Sequence, residues 1–222
     1  MVSGFLQELI KTRKKKKRGE DVSGLSETQK EYALLSDVAY KSGGSRGKES
    51  YLRRTGLGEY KLDKTLSNKN HSVLVHGDGR TVVSFRGTKE TSDIGTDLLL
   101  GLGVEKHSKR FQDSGEVVDQ VIKKYGRDNL VLTGHSLGGS IAHTLGRERD
   151  LEVHAFNPGS AVSHVRDTLG THLRGDAREN KSFLYSTGSD PISWLARGST
   201  GEDEFIYVPP TGVNTHSLTN FI

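Results

Sequence analysis

One serine gathers the chemistry in this chain. Leu130-Val-Leu-Thr-Gly-His-Ser-Leu-Gly-Gly139 reads as a short buried strand running into Gly134-x-Ser136-x-Gly138 and then into a helical run through Ile141–Leu145. A sharp strand-to-helix turn lifts the Ser136 hydroxyl clear of a sheet, at a helix N-terminus whose dipole favours developing negative charge. Gly134 and Gly138 leave room for the close approach of strand and helix that such a turn demands. Glycine and serine are common in loops, so the flanking strand and helix are what make the pattern specific.

A serine hydroxyl is a weak nucleophile and needs a base to take its proton and an acid to orient that base. In hydrolases with this strand–turn–helix the partners follow the serine in the order acid, then histidine. Phe183-Leu-Tyr-Ser186 followed by Thr187-Gly-Ser-Asp190 places an acid just past a later strand. Phe205-Ile-Tyr-Val208 followed by a loop to His216 places the base past the next one. The rivals fit worse. Asp203 precedes its strand, Asp176, His164 and His172 fall out of order, and His135 and His143 suit supporting and structural roles. A tetrahedral intermediate also needs two positioned donors. The backbone N–H of Leu137 is one. The second is expected from Arg86-Gly87-Thr88, at the end of a strand through Val82–Phe85, where the Thr88 N–H and hydroxyl can both face an oxyanion. Standing alone, that segment would read as a plain β-turn.

These residues need a scaffold that brings strand ends together. Ser26 and Gln29 have capping-box spacing, and Tyr32, Leu35, Val38 and Ala39 mark one buried helix face ending by Ser42, where Gly43 and Gly44 begin a polar loop. Val73–His76 and Thr81–Phe85 read as strands joined by a Gly77-Asp78-Gly79 turn. Phe111, Val118, Val121, Ile122 and Tyr125 form a helical stripe with Gly126 as its cap. Val153–Phe156, Phe183–Ser186 and Phe205–Val208 are further strands. Alternation of this kind predicts an α/β fold: one mostly parallel sheet with helices on both faces, in a single domain over residues 25–222. Ser42–Glu49 is no phosphate-binding loop, because Glu49 stands where Ser or Thr is needed. Gly101-Leu-Gly103 lacks the third glycine of a dinucleotide fingerprint.

Taken together, Phe85-Arg-Gly-Thr88, Gly134-His-Ser-Leu-Gly-Gly139, Phe156-Asn-Pro-Gly159, Gly188-Ser-Asp-Pro191 and His216 resemble the fungal-type, class 3 lipase family of α/β-hydrolases, over about residues 26–222. The resemblance implies Ser136 as nucleophile, Asp190 as acid, His216 as base, and Thr88 with Leu137 as the oxyanion hole. It implies no metal or cofactor. The family usually carries a Trp shortly after the Arg-Gly-Thr motif, with an Asp a few residues on. Here Ile94 takes the Trp position and Asp97 is kept, within a Leu- and Gly-rich segment, residues 91–104, that reads either as a lid or as a strand or helix of the core. The stretch from Asp190 to His216 is short, without a long substrate-binding insertion.

At 222 residues the chain has room for one full core. The formal charge of +4 is uneven: residues 1–20 hold seven Lys and Arg against two Glu, so the body is near neutral. Residues 1–24 therefore read as a basic appendage. Its apolar residues Phe5, Leu6, Leu9 and Ile10 and the cluster Lys11–Arg18 suit a disordered tail, an anionic membrane surface touched through residues 5–18, or a nuclear-import or nucleic-acid contact. With no Cys there is no disulfide and no thiolate metal site. No signal peptide and no apolar run of about 20 residues is visible, which predicts an intracellular protein, membrane-associated, nuclear or virion-associated. The expected function is serine carboxylester hydrolysis of lipid esters, as a triacylglycerol lipase or a phospholipase A1-like enzyme. The alternatives are a soluble-ester or acyl-amide hydrolase, and a catalytically silent lipid- or nucleic-acid-binding protein on the same fold. The oligomeric state is not legible.

Overall fold

A computed structural model describes residues 24–88, 109–159, 182–187, 204–211 and 214–222. Its centre is a sheet of seven strands among these residues: β1 (Lys61–Leu62), β2 (His71–Val75), β3 (Thr81–Phe85), β4 (Leu130–His135), β5 (Glu152–Phe156), β6 (Ser182–Thr187) and β7 (Glu204–Val208). The strands lie side by side in chain order. β1, β2 and β3 pair antiparallel, and every pair from β3 to β7 is parallel. The β2–β3 hairpin closes through His76–Arg80, with Gly79 at φ +97, a conformation other side chains rarely adopt.

Helices cover both faces, as the sequence pattern predicts. α1 (Glu27–Val38) and α2 (Gly44–Arg54) lie on one face, and α3 (Lys109–Tyr125) and α4 (Leu137–Arg149) on the other. Strand residues alternate between the two cores, as a two-residue period requires. Leu74, Val82, Val131, Phe156 and Tyr185 join Leu35 and Leu52 on the first face. Val73, Val83, Leu132, Val153 and Leu184 join Val118 and Leu145 on the second. Each fully buried side chain of this size contributes roughly 1.5–3 kcal/mol.

The capping box at the start of α1 forms in full. The Gln29 N–H donates to Ser26 Oγ at 3.3 Å, and the Ser26 N–H donates to Gln29 Oε1 at 2.9 Å. Gly126 closes α3 at φ +87, its N–H donating to Ile122 O at 2.9 Å. α1 ends at Val38, and its buried face continues into a turn carrying Tyr40.

One expectation is corrected. The polar loop expected from Gly43 and Gly44 is the helix α2, entered through Gly43 at φ +83. Its buried face is Lys48, Tyr51 and Leu52, at helical spacing but with a lysine among them, which hides the stripe from a hydrophobicity pattern. Lys48 Nζ donates to the Asn68 and His71 carbonyls at 2.7 and 3.2 Å, and burial pushes its ammonium down to about 8. A Cβ at Gly47 would lie 1.7 Å from Ser42 O, so the tight entry into this helix requires glycine there.

Among the described residues, no helix is long and apolar enough to cross a membrane. The basic segment Met1–Ser23 and the segment 91–104 lie outside the described residues.

Candidate active site

The C-terminal ends of the parallel strands lie along one edge of the sheet, and the described ones among the predicted site residues, Thr88, Ser136, Leu137 and His216, belong to segments that follow those ends. Ser136 sits between β4 and α4 at φ +56 and ψ −127, a left-handed conformation that costs a non-glycine residue on the order of 1–3 kcal/mol. The turn is held because its neighbours leave it no alternative. The Ser136 N–H donates to Phe156 O at 3.0 Å, and its carbonyl accepts from the Ser140 N–H at 3.0 Å. A Cβ at Gly134 would lie 2.4 Å from the Gly138 carbonyl carbon and oxygen, and one at Gly138 would lie 2.1 Å from Phe85 O. Both glycines are thus fixed by close backbone approach. The serine is 3% exposed, at the first turn of a helix whose leading N–H groups have no partner within the helix itself. Leu137 begins that helix.

The Arg86-Gly87-Thr88 segment packs against this turn. A Cβ at Gly87 would meet Ser136 Cβ at 3.3 Å and His135 O at 2.6 Å. The segment is tied on three sides. The Arg86 N–H donates to Asn70 O at 2.9 Å, the Arg110 guanidinium donates to Arg86 O, and the Gly87 N–H donates to the Tyr40 hydroxyl at 2.9 Å. Thr88 follows, exposed at the rim.

Tyr40 and His135 connect this segment to His216. The His135 Nε2 lies 2.7 Å from His216 O, and a carbonyl can only accept, so Nε2 carries the proton. Nδ1 is then an acceptor facing the Tyr40 hydroxyl at 3.2 Å, with His135 O at 3.3 Å sharing the same donor. Burial pushes the Tyr40 phenol up to about 12, with the Gly87 N–H opposing, so the hydroxyl keeps its proton as a donor at neutral pH. The result is a directed chain from Gly87 through Tyr40 and His135 to His216. The His135 and His216 rings lie 4.9 Å apart.

The loop carrying His216 is held by its backbone. The His216 N–H donates to Asn214 Oδ1 at 3.2 Å. Asn220, 2% exposed, donates from Nδ2 to the Asn214, Thr215 and Ser217 carbonyls at 3.0, 3.2 and 2.8 Å. Its Oδ1 accepts from the Thr211 N–H and hydroxyl at 2.9 and 3.1 Å. His216 itself is 6% exposed.

The structure thus brings together Ser136, Leu137, the Gly87–Thr88 segment and His216. Asp190 lies outside the described residues, as do the rivals Asp176, Asp203, His164 and His172 and the pair Ile94 and Asp97. β6, the strand leading toward Asp190, ends at Thr187 on the same edge of the sheet. His143 is buried on α4. Sequence reasoning missed Tyr40, Asn157, Asn214 and Asn220 as participants. Two of them left a trace: Tyr40 lies one residue past the last apolar position of the α1 stripe, and Asn157 lies inside Phe156-Asn-Pro-Gly159, where sequence reasoning assigned it no role of its own.

This strand order, with a serine in a strained turn after a parallel strand and helices on both faces, defines an α/β-hydrolase fold of the fungal lipase type. Residues 31–175 match the Tle-like phospholipase domain, described as phospholipase-like, and the chain belongs to that family. Solved structures share the fold at low identity. A deletion mutant of Rhizomucor miehei lipase in complex with its propeptide aligns with a TM-score of 0.53 at 14% identity, covering 90% of this chain and 77% of that one. A mutant of MDLA from Penicillium cyclopium gives 0.51 at 16%, covering 88% and 86%. Lipase II from Rhizopus niveus gives 0.51 at 13%, covering 88% and 85%. No curated protein matches the chain significantly.

Proposed function

We propose that the protein hydrolyses lipid carboxylesters, with phospholipids the class that its family favours, through a serine acyl-enzyme mechanism. In this reading Ser136 Oγ attacks the ester carbonyl carbon while His216 takes its proton and Asp190 orients the imidazole. The oxyanion that forms is held by the Leu137 N–H and by Thr88. Collapse expels the alcohol, which leaves with the proton from His216. Water, activated by the same imidazole, then releases the fatty acid from Ser136.

The observation that carries the reading is the conformation of Ser136. A polar nucleophile is held at φ +56 where glycine would be unstrained, beside a tied loop on one side and an anchored histidine loop on the other. A fold with no use for that hydroxyl would not need to retain the strain. The family match and the lipase-like fold are consistent with a lipid ester as substrate.

The test is turnover of a short p-nitrophenyl ester and of phospholipid vesicles by the wild type and by Ser136→Ala. The variant is expected to lose activity by roughly 10⁴-fold or more while its circular dichroism spectrum is unchanged. Substantial residual hydrolysis in a clean preparation would remove Ser136 as the nucleophile. A wild type active on the soluble ester but silent on vesicles, micelles and emulsions would instead favour a soluble-ester hydrolase.

A further inference from the structure

Three side chains from three parts of the chain converge on one backbone oxygen, the carbonyl of Thr215. Asn157 Nδ2, just past β5, donates to it at 3.1 Å. Asn220 Nδ2, in the 3₁₀ turn Leu218–Asn220, donates at 3.2 Å, and the Thr187 hydroxyl at the end of β6 donates as well. This carbonyl belongs to the peptide bond that leads into His216, so fixing it fixes where the imidazole starts. The unusual member of the group is Asn157. It is fully buried and stands at φ +41, a left-handed conformation that asparagine tolerates better than most residues. Its own N–H donates to Tyr185 O at 2.7 Å, and its Oδ1 accepts from the Thr187 N–H at 3.0 Å.

We infer that Asn157 is a positioning residue for the hydrolysis proposed above: its amide couples the end of β6 to the Thr215–His216 peptide and so sets the imidazole against Ser136. The inference rests on that reading of Ser136 and His216. The amide suits the task because its two ends differ. The oxygen accepts from a strand-end N–H and the nitrogen donates to a loop carbonyl; a carboxylate has no donor for the second partner, and a hydroxyl would have to serve both from a single atom. Sequence neighbours of Asn157 carry none of this. Its effect passes through the backbone of residue 215 and not through contact with substrate.

Two variants separate positioning from stability. Asn157→Gly removes the amide and leaves φ +41 free of strain. Asn157→Asp keeps an acceptor for the Thr187 N–H but faces the Thr215 carbonyl with oxygen. Each is assayed as the full chain on a short p-nitrophenyl ester, with active sites counted by a fluorophosphonate. A displacement of the base by about 1 Å costs on the order of 100-fold. The expected result for Asn157→Gly is a kcat per active site about 100-fold lower, with KM within about twofold. Combining Asn157→Gly with His216→Ala should be no slower than His216→Ala alone, because both act through one imidazole. If the glycine variant does not fold, Asn157→Asp paired with His216→Ala makes the same comparison. An unchanged kcat per active site, or losses that multiply in the double variant, would overturn the inference. Turnover that survives Ser136→Ala strikes the underlying reading instead.

Discussion

Replacing Ser136 by glycine removes a hydroxyl and a Cβ from a residue held at φ +56 and ψ −127. A side chain in this region costs on the order of 1–3 kcal/mol, and glycine relieves that cost. Against it stands the entropy that glycine gains in the unfolded chain, roughly 0.5–1 kcal/mol relative to alanine. The difference favours the folded glycine variant by about 1 kcal/mol. Alanine keeps the Cβ and with it the strain, so Ser136→Ala is the proper reference, and neither protein carries the hydroxyl. In urea, with a slope of about 2 kcal/mol/M, the glycine variant should unfold about 0.5 M later than the alanine variant. In a thermal melt it should gain about 2–4 °C. A glycine variant less stable than the alanine variant by the full ~0.5–1 kcal/mol of that entropy would mean that the turn costs the fold nothing. The inference that strain is retained for the hydroxyl would then fail.

Tyr40→Phe removes the acceptor of the Gly87 N–H and the hydroxyl that faces His135 Nδ1. It should lower unfolding free energy by about 1–3 kcal/mol in denaturant and reduce kcat more than it raises KM; an unchanged kcat would show that the chain from Gly87 to His216 is purely structural. Asp63 answers to pH. Burial pushes its carboxyl up, but Lys124 at 2.6 Å, the Thr65 hydroxyl at 2.6 Å and Tyr125 at 2.8 Å outweigh this and hold it well below the usual carboxylate range. A folded-state pKa below the unfolded value of about 3.9 means stability is fully present above that pH and is lost as the pH falls further. Asp63→Asn should therefore cost about 2–3 kcal/mol at pH 7 and progressively less in urea titrations run below pH 4, whereas a pH-independent cost would refute the linkage.

What the sequence made legible and what it hid divide along a physical line. β4, the serine turn and α4 were readable because each is encoded locally: a β-branched and leucine run, two glycines forced by backbone contacts, then a helical run. The alternation of Val82 and Val83, or Leu184 and Tyr185, between two cores follows from the same local periodicity. α2 escaped because its buried stripe includes Lys48, whose partners are two carbonyls about 20 residues away in the chain. Tyr40, Asn157 and Asn220 escaped for a related reason. Each acts on backbone groups, Tyr40 and Asn157 on those of distant segments and Asn220 on those of its own loop, and a backbone carbonyl leaves no mark in the sequence to show that it will be met. Asn157 meets Thr215 across 58 positions, and Tyr40 meets His135 across 95. A catalytic serine, acid and base can be sought by residue type and order, because the chemistry restricts which side chains serve. Side chains that hold backbone groups in place are chosen only by where the fold delivers a polar atom, so they become visible when the strand ends are assembled along one edge.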